Sequence, residues 1–165
     1  MGRVLGVLRH SKAVHDPGFD DVDRPLTKRG LRDAAAAGQW LLATGLIPGL
    51  VRCSAAVRTR QTWEQVSAAL GTAGEHAQVS FEPRLYEAGA AALLEIVQEG
   101  PPEVETVLLV GHNPSSHQLV VDLTGQRDLA FPTSALAVIE LPGEWAAAAP
   151  GAGELARLWT PRNPA

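Results

Sequence analysis

The chain has 165 residues, 45% of them hydrophobic and 19% charged, with a formal net charge of −4. That length suits one domain with a real core, and the composition excludes general disorder. A mildly acidic chain offers no broad basic field, which argues against nucleic acid and against an anionic membrane surface as partners.

A single cysteine, Cys53, excludes an intramolecular disulfide framework and a cysteine-based zinc site, and it suits a reducing compartment. The first apolar run, VLGVL, is too short for a signal-peptide core, and no later run approaches the ~18 apolar residues of a membrane span. The expectation is a cytoplasmic protein.

In chain order, residues 3 to 8 read as a buried strand of Val and Leu, stopped by Arg9-His10. Residues 11 to 25 form a loop rich in Asp, Pro and Gly, long enough to be functional. A helix follows, with Thr27 as N-cap, Gly45 as stop, and Leu31, Ala34, Ala35, Gly38, Leu41 and Leu42 on one face. GLVRCS reads as a second strand and AVRTRQTWEQVSAALG as a second helix, spaced through Val57, Gln61, Val66 and Leu70.

QVSFE and AAALLEIVQEG repeat the strand and helix, and TVLLVGH is a further strand of the parallel type, entering the turn GHNPSS and a helix through Leu123. SALAVIEL and ELARLWT suggest an antiparallel pair, and the tail PRNPA at 161–165 is expected to fray. Alternating strands and helices predict a single α/β domain, a three-layer α/β/α sandwich with a mostly parallel central sheet. Trp40, Trp63, Trp145 and Trp159 fit a core or an interface equally well on spacing.

Two strands end alike, at Arg9-His10 and at Gly111-His112-Asn113, and the strand at Val51 to Cys53 feeds a helix bearing Arg58 and Arg60. In a parallel sheet these carboxyl ends share one edge, so two histidines and an arginine can converge there. Arginine's planar fork suits phosphate oxygens, and backbone N–H groups after the strands suit the same anion. A histidine among arginines is held neutral by their charge, which leaves a ring nitrogen able to attack phosphorus. Arg60 lies two residues from Arg58 and points to another side of the helix, into solvent. Lys12 and Lys28 read as solvated, and Asn113 as structural.

These residues carry a family resemblance. LRHSKA resembles the Arg-His-Gly signature of the histidine phosphatase superfamily, which holds the phosphoglycerate mutases and the SixA-type phosphohistidine phosphatases, with Ser11 in the third place. DRPLTKRG is similar to the segment before that family's first helix, CSAAVRTRQTW to the stretch with its second arginine, and VLLVGHNP to the strand with its second histidine. The resemblance implies a phosphoglycerate mutase-like fold, His10 as the nucleophile that becomes phosphohistidine, Arg9 and Arg58 as clamps on the phosphoryl oxygens, and His112 as a fourth contact. It implies no metal and no cofactor. In RLYEAG, Glu87 stands where many members carry a proton donor, and it reads either as that acid or as a rim residue.

The expected activity is removal of phosphate from phosphohistidine on a protein, since imidazole leaves without the acid that an alkoxide needs. The alternatives are a phosphatase for a small phosphomonoester with Glu87 as donor, and a module that binds phosphorylated ligands without turnover. Other nucleophiles fit worse. Only four residues separate Cys53 from Arg58, where a cysteine-dependent phosphatase loop has five, and no Gly-x-Ser-x-Gly elbow occurs. His15, His76 and His117 form no ligand cluster.

Overall fold

The computed structural model describes residues 2–163. The first Val and Leu run forms β1 (Arg3–Arg9), near the centre of a six-stranded sheet. Alternate residues of a pleated strand face opposite ways, so Leu5 and Val7 enter a core on one face and Leu8 a core on the other. β1 pairs in parallel with β4 (Thr106–Gly111), setting Arg9 opposite Gly111. β2 (Leu50–Ser54) lies parallel to β4, and β3 (Gln78–Glu82) parallel to β2. On the other side of β1, β5 (Leu136–Leu141) is antiparallel to it, and β6 (Glu154–Trp159) antiparallel to β5. The order is β3-β2-β4-β1-β5-β6, with the expected antiparallel pair at one edge.

Helices cover both faces. α1 (Lys28–Thr44) and α2 (Val57–Leu70) supply Ala37, Leu41, Trp63, Val66 and Leu70 to the core around Leu8, Val51 and Val110. α3 (Ala90–Gln98) and α4 (Ser115–Thr124) supply Leu93, Ile96, Leu119 and Leu123 to the core around Leu5, Val7 and Leu109. The result is the three-layer sandwich with a mostly parallel sheet. Among the described residues no helix is long and apolar enough to cross a membrane.

The caps of α1 are those the sequence suggests: Thr27 accepts from Gly30 N at 3.0 Å, and Gly45 ends the helix at φ 74°. Its buried face differs. Gly30, Asp33, Ala34, Ala37, Gly38 and Leu41 point inward, while Leu42 is 44% exposed. Small residues set this rotation, because a Cβ on Gly38 would stand 2.7 Å from Val66 O, and one on Gly30 would stand 2.1 Å from Lys12 O. A leucine-led face cannot bring the backbones so close. In α2 the buried set is Arg58, Thr59, Thr62, Trp63, Val66 and Leu70, with Val57 and Gln61 only half-buried.

Trp63, Trp145 and Trp159 belong to the cores, and Trp40 is partly buried against Trp159. Of the tail expected to fray, residues 161–163 are tied back: Arg162 donates to Asp33 at 3.0 Å, and Asn163 bridges Thr160. Residues 164 and 165 lie outside the described residues.

Candidate active site

His10 follows β1 directly. Its N–H donates to Gly111 O at 2.9 Å, which holds the end of β1 against the end of β4. Its ring Nδ1 lies 2.8 Å from Ser11 O. A carbonyl only accepts, so Nδ1 carries the proton and Nε2 keeps its lone pair. His10 is buried, and burial pushes its imidazole from the ordinary 6.5 down to about 3, with the charges of Arg58 and Arg9 adding to the shift and the Ser11 carbonyl opposing it. The expected direction therefore holds, although burial rather than the arginines is its largest cause.

Ser11, where the family signature has glycine, is fully buried. Its N–H donates to Thr62 Oγ1 at 3.0 Å, and its hydroxyl meets that of Ser134 at 2.5 Å. Ser134 takes the left-handed conformation, φ 67°, and its N–H reaches His10 O at 3.1 Å. Two serines and a threonine thus fix the backbone on which His10 sits.

His112 ends β4, its ring 5.4 Å from that of His10. Its Nε2 lies 2.7 Å from Ser54 Oγ at the end of β2, and Tyr86 stands edge-on at 5.6 Å. Burial first, and Arg58 next, lower its imidazole to about 4. Arg58, in the first turn of α2, is buried; it donates to Asp21 O at 2.7 Å and pairs with the Asp21 carboxylate at 3.1 Å. Asp21 also accepts from the Tyr86 hydroxyl. Arg9 is half-buried and donates to Phe131 O at 3.2 Å. His10, Arg9, Arg58 and His112 therefore come together at one edge of the sheet, as the strand ends suggested. Glu87 does not join them directly. It is exposed and lines a cleft of about 430 Å³ that has His112, Tyr86 and Gln118 in its walls.

The remaining candidates separate clearly. Arg60 points away from Arg58 but is not simply solvated, since its guanidinium stacks 4.2 Å from the Phe81 ring centroid and its Nε donates to Ala55 O. Cys53 is fully buried, and burial pushes its thiol up to about 12, which leaves it inert as a nucleophile. Asn113 bonds Phe131 O and the N–H of His117, a structural position. Among the described residues no group of three His, Cys, Asp or Glu side chains stands close enough to hold a metal.

Sequence reasoning missed Asp21, Ser54 and Tyr86. Asp21 lies in the loop singled out as long, and Tyr86 stands beside Glu87, but nothing in their spacing tied either to Arg58.

The histidine phosphatase superfamily (branch 1) matches residues 6–92. An uncharacterized protein of Mycobacterium tuberculosis is 36% identical over 165 residues, spanning 94% of this chain and 100% of that one. SixA from Nakamurella multipartitia superimposes at a TM-score of 0.83 with 33% identity, over 98% of this chain and 97% of the other. The protein histidine phosphatase SixA complexed with tungstate gives 0.77 and 28%, over 97% and 98%. A family match across more than half the chain, joined to likeness along nearly all of two SixA structures, means that this chain belongs to the histidine phosphatase superfamily and is a phosphatase of SixA type.

Proposed function

We propose that this phosphatase removes phosphate from phosphohistidine on a protein, through a phosphoenzyme formed on Nε2 of His10. The observation that carries the reading is the 2.8 Å contact between His10 Nδ1 and Ser11 O, which leaves Nε2 unprotonated beside Arg9, Arg58 and His112. The Nε2 lone pair forms a bond to phosphorus as the P–N bond of the substrate breaks, and the departing imidazole takes the electron pair. Water then attacks the phosphoenzyme, the N–P bond breaks, its electron pair returns to Nε2, and a water proton passes to solvent. Fixed positive charge from Arg9 and Arg58, with a donor on His112, stabilises the oxygens in both steps. No metal is required, and the single buried thiol fits a cytoplasmic setting.

The protein substrate rests on the likeness to a protein histidine phosphatase and on the open cleft beside His112. One observation favours a second reading. Glu87 shares that cleft with His112, where it could protonate the alkoxide of a small phosphomonoester. The ratio of kcat/KM for a phosphohistidine peptide over an alkyl phosphate, with chelator present, separates the two. A high ratio, kept in Glu87→Ala, supports the proposal. Turnover of alkyl phosphate that collapses in Glu87→Ala assigns the small-molecule reading instead.

A further inference from the structure

We infer that Ser54 is a positioning residue that fixes His112 as the tautomer protonated on Nδ1, so that a neutral imidazole presents an N–H to the phosphoryl group. The inference rests on the proposed phosphoryl-transfer role of the site and names a residue that controls it. Ser54 ends β2, is fully buried, and has its backbone held by Thr59, whose hydroxyl donates to Ser54 O at 2.8 Å. Its own hydroxyl receives the N–H of Ala56 at 3.4 Å and lies 2.7 Å from His112 Nε2. A hydroxyl can donate or accept at that contact, so its direction is set by what the other ring nitrogen must do.

The other nitrogen, Nδ1, is buried without a partner in the protein. An orphaned buried polar atom is costly unless a ligand completes it. The ligand here is an anion whose oxygens only accept, so Nδ1 must carry the proton, and a neutral ring can do so only while Nε2 accepts from elsewhere. Two further side chains pack on this ring: His10, whose Nδ1–H goes to Ser11 O, and Tyr86, which approaches edge-on and gives its hydroxyl to Asp21. The facing charged groups are Arg58, Arg9, Arg24 and Asp21. Arginines favour the neutral ring and cannot accept its proton, and the Asp21 carboxylate, which opposes them, is engaged by Arg58 and Tyr86, so the tautomer falls to Ser54. His10 uses the complementary arrangement: Nδ1–H given to Ser11 O keeps Nε2 as a lone pair. One imidazole is set to attack and its neighbour to donate, each by one oxygen.

Two measurements test this. Long-range ¹⁵N–¹H correlation on histidine-labelled wild type at neutral pH, with the His112 signals identified by their loss in His112→Gln, should show His112 protonated on Nδ1; a ring protonated on Nε2 overturns the inference. Ser54→Ala should lower kcat roughly 10- to 100-fold with little change in KM, the scale seen when an orienting partner is lost, and Ser54→Thr should restore most of it. Unchanged kcat in a folded Ser54→Ala overturns the inference. If Ser54→Ala does not fold, the wild-type tautomer still decides. A wild type without phosphatase turnover would refute the proposed function, whereas the tautomer would stand or fall on the resonance measurement alone.

Discussion

Asp21 holds Arg58: the carboxylate lies 3.1 Å from the guanidinium, and the Asp21 carbonyl accepts a second bond at 2.7 Å. The same carboxylate takes the Tyr86 hydroxyl, the largest cause of its fall to about 2, so it is ionised throughout the neutral range. Under the proposed function an incoming phosphoryl oxygen competes with it for Arg58. Asp21 is 56% exposed, so the competition is worth no more than an exposed ion pair, about 0.2–1 kcal/mol. Asp21→Asn should therefore bind inorganic phosphate about two- to fivefold more tightly as a competitive inhibitor, with the gain shrinking as salt rises. Weaker phosphate inhibition in the variant would mean that Asp21 orients Arg58 rather than competes for it.

Arg58 is buried at the start of α2, where its charge can meet a transferring phosphoryl group away from bulk water. Loss of one such donor costs roughly 10²–10³ in rate. Arg58→Ala should lose turnover on that scale and remain folded by circular dichroism, because the core face of α2 is carried by Trp63, Val66 and Leu70. Near-normal turnover would remove Arg58 from the clamp.

Part of this arrangement is legible in sequence and part is not, for a physical reason. Strand ends, caps and layers follow from local patterns: Thr27 and Gly45 bound α1, and the runs before His10 and His112 become adjacent parallel strands whose ends bring the rings to 5.4 Å. The supporting contacts join residues far apart in the chain. Asp21 meets Arg58 37 residues on and Tyr86 65 residues on, and Ser54 meets His112 58 residues on. No periodicity encodes such pairs. The buried face of α1 departs from the leucine pattern because small residues govern close packing, and Arg60 departs from a solvated position because a charged head can stack on an aromatic ring at the surface.

The two buried imidazoles, His10 and His112, make stability depend on pH. Burial lowers His10 to about 3 and His112 to about 4, while an unfolded histidine titrates near the ordinary 6.5. Between these limits the unfolded chain binds protons that the folded chain refuses, so stability falls as pH falls. The contribution is complete above about pH 6.5 and is lost progressively as pH falls to about 4 for His112 and about 3 for His10, at up to about 1.4 kcal/mol per pH unit for each ring. His10→Gln removes one of the two. Urea midpoints measured from pH 7 to pH 4 should decline less steeply in the variant than in wild type, and parallel declines would place the His10 imidazole in a solvated setting.

Gly30 couples α1 to the segment that carries His10. A Cβ there would lie 2.1 Å from Lys12 O, a carbonyl that also accepts from Thr27 N at 2.9 Å and sits two residues beyond His10. Backbone cannot yield as a side chain tip can, so Gly30→Ala must push the 10–13 segment away from α1 at a cost of about 1–3 kcal/mol or more. Because that segment carries Ser11, whose carbonyl sets the His10 tautomer, turnover should fall together with stability. Gly45→Ala supplies the contrast. Nothing lies within 4 Å of its Cβ position, and the cost comes from its φ of 74° alone, roughly 1–2 kcal/mol for an L residue held left-handed. That variant should melt earlier with an unchanged kcat. If Gly30→Ala behaves the same way, losing stability but not turnover, α1 supports the fold without positioning His10.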